Sequence, residues 1–227
     1  DTGAGNSECS CLYSFDDIKA KTEEPTAFGE LLEIPVCSTG ETIDFPEAID
    51  VTDKMFRLFT SNCDAIEDSS IVSAVFSGET FFSTNTTSNH EISISNVKFQ
   101  KDGGNGNRPS IESVGHGILE VLGCTFEGMR GNNGKAIDND GKINKDRRRG
   151  TVSVRGCSFH GHNANNGGAI SNRVDGDMLI EDSTFSNNQA QLKGGAIYNG
   201  DAGRVTIKNA TFSSNQATSD GGAICNA

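Results

Sequence analysis

The sequence predicts an all-β chain wound as a parallel β-helix, a solenoid with coils near 27 residues. Three observations predict it. Phe99, Phe126, Phe159, Phe185 and Phe212 recur at intervals of 27, 33, 26 and 27 residues. Five residues before each stands Ile94, Val121, Val154, Ile180 or Ile207, and seven before stands Ile92, Leu119, Val152, Met178 or Val205. After the last four Phe come Ala136-Ile137, Ala169-Ile170, Ala196-Ile197 and Ala223-Ile224, with Asn139, Asn172, Asn199 and Asn226 two residues past each Ile.

Apolar residues at spacing two make a short strand with one face to bury. Each repeat holds about three such pieces, and the Gly, Asn and Asp between them permit positive φ at tight corners. One repeat cannot bury its apolar face alone; stacked copies can, with strands pairing in parallel about 4.8 Å apart along the axis. Like residues then fall into columns. The Asn column is read as a structural ladder of side-chain amides. A leucine-rich repeat is excluded because its L-x-x-L-x-L pattern is absent, and helical repeats fail because a period of two prevails over 3.6 in every unit.

Residues 1–40 fit no repeat and are read as an N-terminal cap covering the first coil, since bare strand edges and an open core invite pairing. Ser14 is the expected N-cap of a short helix with acids in its first turn, and Pro25 is expected to stop it. The β-helix is assigned to residues 41–227, with irregular early coils over 41–99 and regular repeats over 90–227. The early strands are placed at Thr42–Phe45, Ala48–Val51, Phe56–Phe59, Ile71–Phe76, Thr80–Ser83 and Glu91–Ser95. Cys37 and Cys63 flank the first coil and are the expected disulfide. Cys9 and Cys11 are too close to bond each other easily. Cys124 and Cys157 occupy equivalent positions and are expected to stack, either as a small buried column or as a bond between coils. The last coil, ending at Ala227, is expected to be uncovered, with more protein or another molecule beyond it.

The motifs carry a resemblance. Gly167–Ile170, Gly194–Ile197 and Gly221–Ile224 read GGAI, and Phe185–Asn188 and Phe212–Asn215 read FxxN. These paired tetrapeptides resemble the repeats of chlamydial polymorphic outer-membrane proteins, over roughly residues 90–227. The resemblance implies a right-handed β-helix of the pectate-lyase-like superfamily and a surface adhesin's passenger. Gly134-Lys135-Ala136-Ile137 departs from GGAI, and Met129 and His162 stand where FxxN has Asn.

Composition bounds the function. The chain has 227 residues, 34% hydrophobic, with 7 Cys, no Trp and 2 Tyr. No run of about 18 apolar residues marks a membrane-spanning helix. Residues 1–70 hold 16 acidic and 4 basic side chains, and the remainder holds 15 of each. Nucleic acid is not an expected partner, because phosphates call for clustered Lys and Arg over a large surface. The cysteines, with the sequons at Asn85 and Asn209, predict an extracellular or cell-surface glycoprotein in an oxidising compartment.

Candidate sites are few. The long loop 138–150 contains D-x-D-G. Placed on an EF-hand, it puts Ala136 and Arg147 at the two positions that need carboxylates, so a looser calcium site of Asp138, Asp140 and Asp146 is the remaining candidate, against a solvated turn. No other cofactor is expected. Lys142, Lys145, Arg147, Arg148 and Arg149 are a candidate for anionic glycans or an acidic partner, against a merely exposed or processed loop. Glu127, His160 and His162 are a candidate zinc set, against satisfied surface histidines. Thr125, Ser158, Thr184 and Thr211 form a hydroxyl column of the kind that orders water, broken beside it by Glu127 and His160. β-Helix lyases and hydrolases need an acid cluster with calcium or facing carboxylates. The strand acids Glu112, Glu120, Glu127, Glu181 and Asp182 do not converge. The expected function is therefore a non-catalytic β-helix with a structural or adhesive role, a unit of a surface fibre or wall. Other protein chains or cell-surface glycans are its expected partners, with self-association through the last coil. A polysaccharide lyase or hydrolase acting on acidic glycans is the alternative.

Overall fold

Short strands with a single apolar face bury it here by lying coil over coil. The computed structural model describes residues 11–12, 14–25, 30–37, 42–47, 49–50, 55–61, 74–78, 82–86, 91–100, 109–115, 117–130, 136–141 and 150–227. They form three seven-stranded sheets and a fourth of three strands. The first sheet runs Leu32–Cys37, Phe56–Ser61, Glu91–Ser95, Ile118–Leu122, Thr151–Arg155, Asp177–Glu181 and Arg204–Lys208. The second runs Thr42–Phe45, Ala74–Gly78, Val97–Gln100, Thr125–Glu127, Ser158–His160, Thr184–Ser186 and Thr211–Ser213. The third begins at Ile49–Asp50 and Phe82–Thr86. It continues through Ile111–Gly115, Ile137–Asp140, Ile170–Arg173 and Ile197–Asn199 to Ile224–Asn226. The fourth holds Asn163–Asn166, Gln189–Lys193 and Gln216–Ala217. Neighbouring strands pair in parallel with equivalents one coil away, as in Leu119↔Val152↔Met178↔Val205. The parallel β-helix is thus the observed fold.

The interior is a set of columns. Rings of Phe99, Phe126, Phe159, Phe185 and Phe212 stack with centroids 4.8, 5.0, 4.6 and 4.9 Å apart and planes within 13° of parallel. Such stacking is worth about 0.5–1.5 kcal/mol per pair beyond burial. Beside it run Ile94, Val121, Val154 and Ile180, all fully buried, and the row Ile111, Ile137, Ile170 and Ile197.

The Asn column is the predicted ladder. Asn139 Nδ2 donates to Asn172 Oδ1 at 2.7 Å, Asn172 to Asn199 at 2.7 Å, and Asn199 to Asn226 at 2.5 Å. Asn172 and Asn199 also donate to the carbonyls of Gly176 and Gly203, tying the next turn inward. The GGAI motif has an equally local cause. Gly167, Gly194 and Gly221 hold φ near +60°, and a Cβ there would sit about 2 Å from the carbonyl oxygen of the Ile three residues on. A Cβ on Gly168 or Gly195 would meet the carbonyl of the equivalent Gly one coil later at 2.1 or 2.0 Å. Backbone lies on backbone at this corner, so only hydrogen fits.

At the N-terminal end the helix Phe15–Glu23 forms as predicted. Ser14 Oγ accepts from the Asp17 amide, Asp16 and Asp17 occupy the first turn, and Glu24 before Pro25 turns extended. Ile18 is fully buried against the core and Lys19 pairs with Glu47, so the helix covers the first coil. Two expectations are corrected here. Leu32–Cys37, assigned to the cap, is already the first rung of the first sheet, in register with Phe56–Ser61. And Cys37 bonds Cys11, not Cys63, with Cα atoms 5.2 Å apart. The reason is that Leu12 bridges Val36, its amide donating to Pro35 and its carbonyl accepting from Cys37. That pairing sets Cys11 beside Cys37, 26 residues away, the length of one coil. Cys9 and Cys63 lie outside the described residues.

The early strands fall close to their expected places, with Thr42–Phe45 and Glu91–Ser95 at their predicted bounds. In the final coil Val205, Ile207 and Phe212 are only half-buried, unlike their fully or nearly buried counterparts one coil earlier. None of the described helices is long and apolar enough to cross a membrane.

Candidate functional site

With the interior sealed by like-on-like columns, the outer rows carry whatever chemistry the molecule has. On the second sheet the hydroxyl column is in register, Thr125↔Ser158↔Thr184↔Thr211, and partly or fully exposed. Beside it runs Glu127↔His160↔Ser186↔Ser213, with His160 Nδ1 2.9 Å from Ser186 Oγ. On the first sheet Arg155, Glu181 and Lys208 form a ladder of alternating charge, with Glu181 at 3.0 Å from Arg155 and 2.9 Å from Lys208. The Lys208 hydrogen bond, chiefly, lowers the Glu181 carboxyl below its ordinary range. On the fourth sheet Asn163, Gln189 and Gln216 fall in register, Asn163 donating to Gln189, along a shallow polar groove of about 220 Å³. That amide row was missed in the sequence, although Asn188-Gln189 and Asn215-Gln216 repeat at the coil spacing.

The candidate calcium site is committed elsewhere. Asp138 is buried, its side chain 9% exposed, and Arg173 grips it through Nε at 3.2 Å and Nη2 at 2.7 Å. Burial pushes the Asp138 carboxyl up, and the Arg173 guanidinium pulls against it. Asp140 stands level with Arg173 in the next strand, and Asp146 lies outside the described residues. Among the described residues no three acids, His or Cys gather as a metal site. The fork of Arg173 was not anticipated, because Asp138 was read as loop and is in fact strand. For the same reason Glu112 and Asp138 do line up, as register neighbours in the third sheet. Asp177 opens the strand Asp177–Glu181.

The candidate zinc set is not assembled. Glu127 pairs with Lys98 at 2.9 Å, His160 is exposed on the outer face, and His162 is buried with its ring among the core. His162 is not a surface histidine; it replaces Asn in a second ladder. Asn215 Oδ1 accepts from the Asn188 amide, Asn188 Oδ1 from the His162 amide, and His162 Nδ1 from the Met129 amide, at 3.1, 3.1 and 3.2 Å. Asn188 and Asn215 also donate to the carbonyls of Phe159 and Phe185, whereas His162 Nε2 closes no hydrogen bond among the described residues. Burial depresses the imidazole to about 3.

Asn209 is exposed at a corner with φ 49°, its amide 3.2 Å from Asp182 Oδ1. Asn85 lies in the strand Phe82–Thr86. Lys142, Lys145, Arg147, Arg148 and Arg149 lie outside the described residues. Cys124 and Cys157 stack as expected, both buried thiols.

The last two coils therefore repeat one unit: a corner, a TFS strand, an amide strand, then the GGAI corner and the Asn of the ladder. Residues 182–200 and 209–227 match the Chlamydia polymorphic membrane protein repeat. Each matched stretch begins at or beside the corner before the TFS strand and runs through the ladder Asn. The likeness read from GGAI and FxxN is thereby upheld over these two stretches, and the family to which the repeat model belongs is one of surface, outer-membrane-associated proteins. No curated protein and no solved structure matches the chain.

Proposed function

We propose that this chain is a stretch of a non-catalytic surface β-helix whose role is structural or adhesive. The observation that carries the reading is the repeat itself. Its side chains divide into an interior of stacked Phe, Ile and Asn and outer rows of hydroxyls, amides and paired charges spaced one coil apart. Periodic polar rows on a stiff rod suit repeated weak contacts, in which avidity replaces a single deep pocket. Partners of that kind are other protein chains and cell-surface glycans. The enzyme alternative gains nothing from Asp138, since a buried carboxylate held in an Arg fork is unavailable to a glycan. Binding of the purified chain to a glycan array and to cell surfaces, beside a polyuronate cleavage assay with and without calcium, tests the reading. Saturable binding without turnover is the expected result. Turnover that disappears in Asp138→Asn or Asp140→Asn would overturn it.

A further inference from the structure

Cys124 and Cys157 stand two residues before Phe126 and Phe159 in adjacent coils, and Thr125 pairs with Ser158 in register. The Ser158 amide donates to the Cys124 carbonyl at 2.9 Å, and the Cys124 amide lies 3.4 Å from Cys157 Sγ. Both residues are at most 2% exposed. Parallel neighbours sit about 4.8 Å apart, inside the Cα range of about 4.4–6.8 Å that a disulfide spans. The column continues to Val97 on one side and to Ser183 on the other, where the Cys157 amide donates to Ser183 Oγ. Neither sulfur is needed for packing, because that column accepts an aliphatic side chain and a hydroxyl of similar size one rung away.

We propose that Cys124 and Cys157 are a covalent cross-link site, joined in the oxidised protein so that two adjacent coils are tied through the core. A small disulfide, oxidised glutathione for instance, first caps Cys124 and releases one glutathione thiol. The Cys157 thiolate then attacks the Cys124 sulfur. The bond from Cys124 to glutathione breaks, the bond from Cys157 to Cys124 forms, and the second glutathione leaves as a thiolate that takes up the proton lost by Cys157. Two electrons pass from the two cysteines to one glutathione disulfide. Because the finished coil seals both sulfurs, the exchange belongs to the still-open coil during folding. Such a bond is independent of what the outer rows bind.

The test unfolds the full chain with reductant and refolds it by dilution in reduced and oxidised glutathione, then digests it without reduction. Mass spectrometry is expected to find a peptide pair linking Cys124 to Cys157. The oxidised protein is expected to melt several degrees above the Cys124→Val, Cys157→Ser double variant refolded in the same glutathione buffer, in which Cys11 remains linked to Cys37. Cys124→Val and Cys157→Ser, residues the column already holds one rung away, should each abolish that peptide pair while Cys11 remains linked to Cys37. Alkylation of both Cys124 and Cys157 in the oxidised, refolded chain, or their linkage to other cysteines, would overturn the proposal.

Discussion

His162 shows how one side chain can keep a ladder and alter its chemistry. Its Nδ1 serves the Met129 amide as an Asn Oδ1 would, but only while the ring is neutral. The ring titrates near 3 in the fold against an ordinary value of 6.5. The unfolded chain therefore binds the proton first, so the neutral ring's contribution is complete above pH 6.5 and is lost as pH falls toward 3. The slope in that window is about 1.4 kcal/mol per pH unit. His162→Asn should remove the slope, visible as a flatter urea midpoint between pH 6.5 and 4. A steeper acid dependence in the variant would contradict this account. At Phe159, stacked on both sides and fully buried, Phe159→Ala should cost about 3–5 kcal/mol in chemical denaturation.

At the scale of a coil, two contacts decide how closely rungs approach. The GGAI corner leaves no space for a methyl group, so Gly195→Ala should destabilise by about 1–3 kcal/mol, read as a lowered Tm. The same change at Gly128, where a Cβ meets nothing within 4 Å, should cost only its positive-φ strain. The Asp138–Arg173 fork joins coils on the third sheet. Arg173→Met leaves a buried carboxylate behind and should cost about 2–4 kcal/mol at pH 7, discounted from a fully buried pair because Arg173 is 30% exposed. Burial already raises the Asp138 carboxyl, so the loss should shrink in acid as that group takes up a proton. A loss independent of pH would mean that the fork contributes packing alone.

Over the whole molecule stability is additive along one axis, because each coil touches only its neighbours. Amide exchange should therefore grade along the rod. Protection should be greatest across Thr151–Arg155 and Asp177–Glu181, and least across Arg204–Lys208 and Thr211–Ser213, whose apolar side chains are half-buried. Uniform protection to the last coil would show that the rod opens as a single unit instead. The same nearest-neighbour logic explains the long coil between Phe126 and Phe159. Its extra residues fall in the sequence between Asp140 and Thr151, and register on both sides survives, with Glu127↔His160 and Leu122↔Arg155 intact.

The amino-acid sequence by itself determined the coil. A period near 27 with apolar residues at spacing two admits one way to bury every apolar face, and Phe, Ile and Asn fall into files as a direct result. The helix Phe15–Glu23 was legible too, because its N-cap, acidic first turn and Pro25 are local signals. Only the tertiary structure decided which groups meet across coils where the period is broken or replaced. Cys11 reaches Cys37 through a lone bridge at Leu12, outside any recognisable repeat. Asp138 became strand and met Arg173 because the strand Ile137–Asp140 takes in the first three residues of the loop that the sequence pattern implies. His162 turned inward because its position in the coil, not its chemistry, sets its direction. Side-chain direction follows from strand register, and register at an irregular coil is fixed by the neighbours stacked above and below it.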